Sequence, residues 1–169
     1  MLDLIEKSAQ QFMLSTETFN QVNDILRDLV TSTRSDFALF CDANGNPITH
    51  HGKQHAVNLS GLSALAAGNF AATREMARVI GEKEGFRFIF QEGDRRNLYL
   101  CNVGFNFLLA IIFDKAVALG LVRIFANKTV ESLKGVLDKA AQAEKKTSDF
   151  IDSEFGFLLG KELDKSFSL

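Results

Sequence analysis

The side chains with most capacity for chemistry in this chain are few and poorly grouped. Its three histidines fall in one run, His50, His51 and His55 of HHGKQH. Clustered imidazoles suggest a metal, but zinc usually takes four ligands at defined spacings, and no cysteine or carboxylate partner stands near. On a strand, His50 and His51 also point to opposite faces, so the run reads as a surface strand end. Cys41 and Cys101 each sit in an apolar run without CxxC spacing, which makes them buried free thiols of a reducing compartment. No GxxxxGK[ST] loop is present to cradle phosphates, and no GxSxG or HExxH supplies a nucleophile or a metal pair. Glu82, Glu84, Glu92 and Asp94 flank turns and serve solubility. Neither a cofactor, a resident metal nor catalysis by this chain alone is expected.

What remains is chemistry of recognition, and it centres on Leu59 to Gly81, LSGLSALAAGNFAATREMARVIG. At 100° per residue, Leu62, Leu65, Met76, Val79 and Ile80 share an arc, the expected core face of a helix. A second arc, Gly61, Ala64, Ala67, Gly68 and Ala71, has almost no side-chain volume. Each glycine in a helix interior costs roughly 1 kcal/mol against alanine, so a close backbone neighbour is expected to justify them. That neighbour is either the chain's own sheet or the same helix of a second copy across a two-fold axis. Phe70 lies between this strip and Arg74, as an apolar anchor for a partner or as part of the seam. Arg74 and Arg78, one turn apart, suit an acidic partner surface or simply a solvated face.

The elements that must position these residues follow from the pattern. With 169 residues, 46% hydrophobic and 24% charged, the chain has enough apolar content for one core without disulfides. A net charge of −2 argues against a nucleic-acid surface. Sixteen Phe beside one Tyr and no Trp make the aromatics core filler. No apolar run reaches bilayer-spanning length, and Asp3 and Glu6 stand where a secretory signal needs basic residues, so a soluble cytoplasmic protein is expected. Leu2, Ile5, Ala9, Phe12 and Met13 recur at helical spacing. Ser15 with Thr18 offers a cap for a helix through Phe19, Val22, Ile25, Leu26 and Leu29 to about Thr33. Residues 36–41 and 48–52 form a hairpin about an Asn-Gly turn. Alternating Phe86 to Gln91, then Leu98 to Val103 and Phe107 to Phe113, give an antiparallel meander. A last helical stripe runs from Leu119 through Val122, Ala126, Val130, Leu133 and Leu137 to Ala140, where the polar stretch AEKKTSD is expected to end it. The sum is an α+β sandwich on a five-stranded antiparallel sheet.

That order, with LSALAAGNFAATREMARVIGE at Leu62 to Glu82, LLAIIFD at Leu108 to Asp114 and LGLVRI at Leu119 to Ile124, resembles the Roadblock family (dynein light chain Roadblock type), and within it the bacterial MglB-like regulators. The likeness runs from about Phe19 to Leu137. It implies a Roadblock-like domain over 17–146, flanked by an N-terminal amphipathic extension (1–16) and a C-terminal apolar extension (147–169). It also implies a homodimer in which second helices pack together and the following strand pairs with its twin, continuing the sheet. The interface would then comprise Gly61, Ala64, Leu65, Gly68, Ala71 and Ala72, with Phe86, Phe88 and Phe90 on the strand.

The partner implied by the resemblance is a small Ras-like, MglA-like GTPase whose hydrolysis is accelerated by ordering its switch loops, with no catalytic side chain from the regulator. An arginine finger is the alternative device, worth about 10³ to 10⁵ in rate where it operates. Phe70, Arg74 and Arg78 are candidate partner contacts. So are Phe155, Phe157 and Leu158 of the tail, which carries too much apolar surface to stay free and must dock on its own dimer or in a partner groove. The alternative function is a dimeric scaffold of a larger assembly without effect on nucleotide turnover; a ligand-sensing domain of similar shape is a more distant third. No nucleic acid and no membrane insertion are expected.

Overall fold

Helix α1, Thr16–Thr33, begins where the Ser15 hydroxyl accepts the Thr18 amide at 3.2 Å, the cap its sequence offers. It buries Val22, Leu26 and Leu29 and stops at left-handed Arg34. Strands β1, Phe37–Asp42, and β2, Pro47–Gly52, form the expected hairpin. The Asp42 carboxylate holds its turn by accepting the Asn44 and Asn46 amides at 2.9 and 2.8 Å. Helix α2, Leu59–Val79, is capped by Asn58, whose side chain accepts the Gly61 amide at 2.9 Å. Strands β3, Phe88–Gln91, β4, Arg96–Gly104, and β5, Phe107–Asp114, complete the meander, and helix α3, Leu119–Phe167, closes the chain. These elements come from a computed structural model that describes residues 14–53 and 57–167, with side chains through residue 161. Most of the expected N-terminal extension (1–13), His55, and the side chains of Leu163 and Phe167 lie outside the described residues.

The five strands are ordered β2-β1-β5-β4-β3, every pairing antiparallel. Alternation along β1 divides the core into two layers. Ala38 and Phe40 face α1 and α3, together with Tyr99, Leu109, Ile111 and Phe113; Val122, Ala126, Leu133 and Leu137 of α3 close over them. Phe37, Leu39 and Cys41 face α2, where Leu100, Leu108, Ala110 and Ala66 complete a thinner layer. This is the expected five-stranded α+β sandwich.

Two expectations are corrected. The stretch AEKKTSD does not end the last helix: α3 continues for 49 residues, about 73 Å. Alanine, glutamate and lysine are strong helix formers and no proline or glycine interrupts 143–149, so polarity there marks exposure rather than termination. The boundary placed between 146 and 147 consequently falls inside one continuous helix. Second, β3 starts at Phe88, which leaves Phe86 outside the strand.

Candidate protein-interaction surface

The helix at the centre of the sequence argument lies on the sheet by a different face than its large aliphatics suggest. Ser63, Ala66 and Ala77 are its buried residues, with Leu59, Leu62, Ala67 and Phe70 packed beside them. Leu65, Met76, Val79 and Ile80, expected in the core, are 75%, 60%, 87% and 70% exposed. Small residues on the inner face let the helix backbone settle close to the sheet, so the bulky side chains are turned outward. Hydrophobic periodicity reveals that a face is apolar, not which surface covers it.

The small-residue strip divides. Ala64 does meet its own chain: a Cβ placed on Gly45 would stand 2.8 Å from the Ala64 Cα, and Gly45 has φ +92, so the β1–β2 turn requires glycine there. Ala67 inclines toward the sheet. Gly61 faces the Asn58 cap at 3.1 Å. Gly68, by contrast, has nothing within 4 Å of where its Cβ would be, and Ala71 and Ala72 are exposed. Gly61, Leu65, Gly68, Ala72, Met76 and Val79 therefore form a continuous outward stripe at spacings of three and four, closed at Gly61 by the cap and open beyond it.

Strand β3 lies at the end of the sheet order beside this helix's layer. Its phenylalanine rings, however, turn into their own protomer. Phe88 stacks on Tyr99 with ring centres 4.9 Å apart and lies 5.0 Å beneath the Arg123 guanidinium; Phe90 packs against Phe113 at 6.3 Å. Ile89 points to the opposite layer. Their rings are thus committed within the protomer, and β3, last in the strand order, offers backbone N–H and C=O groups along its outer edge.

Phe86 and Phe70 meet elsewhere, on a cavity of about 240 Å³ between α2 and the β4–β5 turn, with Arg74, Asn102 and Phe105 also on its wall. The turn is tight, Phe105 and Asn106 both having positive φ (53° and 65°). Phe70 is half-buried and belongs to the core of its layer as well as to this wall. Arg78 pairs with Glu75 at 2.8 Å on the open surface. At the far end of the molecule Phe155, Phe157 and Leu158 are 65%, 72% and 56% exposed along α3, well away from Arg74 in sequence and on the other layer's helix. The structure therefore joins Phe70, Arg74 and Phe86 but does not join them to the tail. Phe105 is the member of this group that sequence reading missed, its signal being the turn it occupies.

The two thiols are buried and unreactive. Burial pushes the Cys41 thiol up to about 11, the Asp42 charge adding to it, and burial pushes Cys101 up to about 12, so both stay protonated at neutral pH. His50 stacks on Phe37 at 5.3 Å. Among the described residues no group of three metal-ligating side chains occurs, and no helix is long and apolar enough to cross a membrane.

Comparison with known proteins agrees with this arrangement. The Roadblock/LC7 domain model matches residues 22–113, from the first buried turn of α1 to the end of β5. The solved structure of Myxococcus xanthus MglB superposes with a TM-score of 0.71 at 31% identity, over 76% of this chain and 96% of its own. The gliding protein MglB of Thermus thermophilus gives 0.70 at 27% identity, over 76% and 97%. An uncharacterised protein of Aquifex aeolicus is 25% identical over 165 residues, 97% of this chain and 96% of its own length. With the domain model spanning most of the sheet and α2, and a solved MglB above 30% identity, the chain belongs to the Roadblock/LC7 domain family.

Proposed function

We propose that this protein is an MglB-like regulator of a small Ras-like GTPase, acting as a homodimer in the cytoplasm and without a catalytic site of its own. The observation that carries the reading is the outward stripe of α2. Leu65, Met76, Val79 and Ile80 are large apolar side chains on the open face of a helix, flanking a glycine with empty space in front of it. Burying one such side chain fully is worth about 1.5 to 3 kcal/mol, and a glycine lets two helix axes approach to the short end of the usual 8–10 Å range. A second copy of the same helix supplies both the apolar surface and the close backbone. The end position of β3 then lets the sheet continue through backbone pairing with its twin. The composite of Gly61, Ala64, Leu65, Gly68, Ala71 and Ala72 with the edge of β3 is the proposed dimer interface, Phe86 standing at its margin.

The GTPase would be met by the ridge beside that seam, where Phe70, Phe86 and Phe105 surround the cavity and Arg74 and Arg78 supply positive charge for an acidic switch surface. Phe157 and its neighbours on the tail are a second, separate contact for the same partner. Acceleration by ordering the partner's own loops fits a chain whose exposed arginines are anchored to a helix surface.

The test is single-turnover GTP hydrolysis by a small Ras-like GTPase from the same organism, with and without this protein, together with the mass of the free protein. A dimer mass and a faster rate are expected. A dimer that binds the GTPase and leaves its rate unchanged would replace this reading with the scaffold; a monomer would overturn the seam.

A further inference from the structure

One arc of α3 changes character along its length. At 100° per residue Ala140, Ala143 and Thr147 share it with Ile151, Phe155 and Leu158. The first three are small, and with Thr18 and Gln21 of α1 they border a groove of about 600 Å³. The last three are large, apolar and each more than half exposed. Charge divides along the helix in the same sense, Lys145 and Lys146 standing before Asp149, Asp152 and Glu154. Among the described residues the ion pair that α3 makes is Lys134 with Glu131, so these five charges are uncommitted.

We propose that this arc seats the same helix of a second copy, lying antiparallel across a two-fold axis, so that the large half of each fills the small half of the other. With Thr147 of one chain level with Ile151 of the other, Ala143 meets Phe155 and Ala140 meets Leu158, and every contact occurs twice. At the borders of that register Lys146 comes beside Glu154 on one flank and Lys145 beside Asp152 on the other. A parallel arrangement fails on both counts. It sets Phe155 on Phe155, leaves Ala143 facing Ala143 across a void and brings like charges level. The matched stretch from Ala140 to Leu158 is about 27 Å long, five turns of contact on each chain. Helix α3 covers the opposite layer of the sheet from α2, so this copy is not the one that would lie across Gly68. The inference therefore stands apart from the α2 seam and from the GTPase reading. Phe157 is 100° round the helix from Leu158, at the border of the arc, and keeps an open side for a different partner.

Sedimentation of the full chain across a dilution series, with Phe155→Asp beside it, tests the pairing. At the upper end of the series the natural chain is expected to have twice the mass of Phe155→Asp, whether or not the α2 seam also forms, because each two-fold seam doubles the particle by itself. Direction is read with cysteine. Thr147→Cys and Ile151→Cys, mixed and mildly oxidised, are expected to cross-link with each other rather than each with itself, the native Cys41 and Cys101 being buried. Equal masses for the natural chain and Phe155→Asp throughout the series would overturn the proposal and give the arc to another part of the chain or to a different molecule. A cross-link absent from the mixture, or stronger in Ile151→Cys alone, would overturn the antiparallel register.

Discussion

The two faces of the sheet are built to different specifications. The face under α1 and α3 is deep: Tyr99, Phe40, Phe113, Leu109, Ile111, Leu133 and Leu137 are fully enclosed. The face under α2 is shallow, made of Phe37, Leu39, Leu100 and small residues, and the covering helix spends its largest aliphatics on the outside. One face holds the protomer together with large, fully enclosed side chains. The other uses small side chains to bring a helix close, which leaves Leu65, Met76, Val79 and Ile80 on its open face. On the proposed reading, the outward face of α2 can change without disturbing the enclosed core of the opposite layer.

The largest effect should come from the deep face. Leu133→Ala is expected to destabilise the fold by about 2 to 5 kcal/mol, as loss of a fully enclosed leucine does, while Leu65→Ala on α2 should stay within about 0.5 kcal/mol in dilute single chains. Denaturant unfolding of both variants measures the contrast, and comparable losses would break it. Next comes Gly68→Leu, which meets open space in the single chain. The helix should gain about 1 kcal/mol from the better helix former, and the proposed dimer should weaken at least about 100-fold, or about 2.7 kcal/mol; sedimentation across a dilution series reads the second effect. An unchanged dimer would remove Gly68 from the seam.

A smaller gain is available inside the deep face. The Tyr99 hydroxyl is the one buried side-chain polar atom among the described residues without a hydrogen-bond partner. Tyr99→Phe should therefore raise stability by about 1 kcal/mol, seen as a higher denaturant midpoint. The smallest effect belongs to the shallow side's surface. Arg78→Ala removes an exposed pair with Glu75 and should change stability by less than about 0.5 kcal/mol. Any loss of partner binding by that variant then reports recognition rather than folding.

Much of this was legible in the chain. The Ser15 cap, the Asn-Gly hairpin, the strands after α2 and the Val122 to Leu137 stripe all depend on neighbours within a turn or a ladder, and local chemistry determines them. The run Leu62 to Glu82 carried the family likeness, and it announced that a small-residue helix face exists. Its orientation was not legible. Leu65, Met76 and Val79 have the same periodicity whether a sheet or solvent lies beneath them, and only the packing of Ser63, Ala66 and Ala77 against the strands decided that they face out. Nor was it legible that the rings of Phe88 and Phe90 turn inward, onto Tyr99 of the neighbouring strand and Phe113 of β5.

The same division holds for α3. Sequence alone determined that its first half has a core stripe and its last turns an apolar one, because side-chain type and helical period suffice for that. Whether the polar stretch between them bends, breaks or continues is a balance of weak propensities spread over seven residues. The helix formers of 143–149, free of proline and glycine, carry α3 through; the tertiary structure decided what each half touches, with Val122, Ala126, Leu133 and Leu137 holding α3 along α1 while Ile151, Phe155 and Leu158 stay exposed. Local interactions set what each segment can be; long-range burial, which sums contacts between residues far apart in the chain, sets what each face touches.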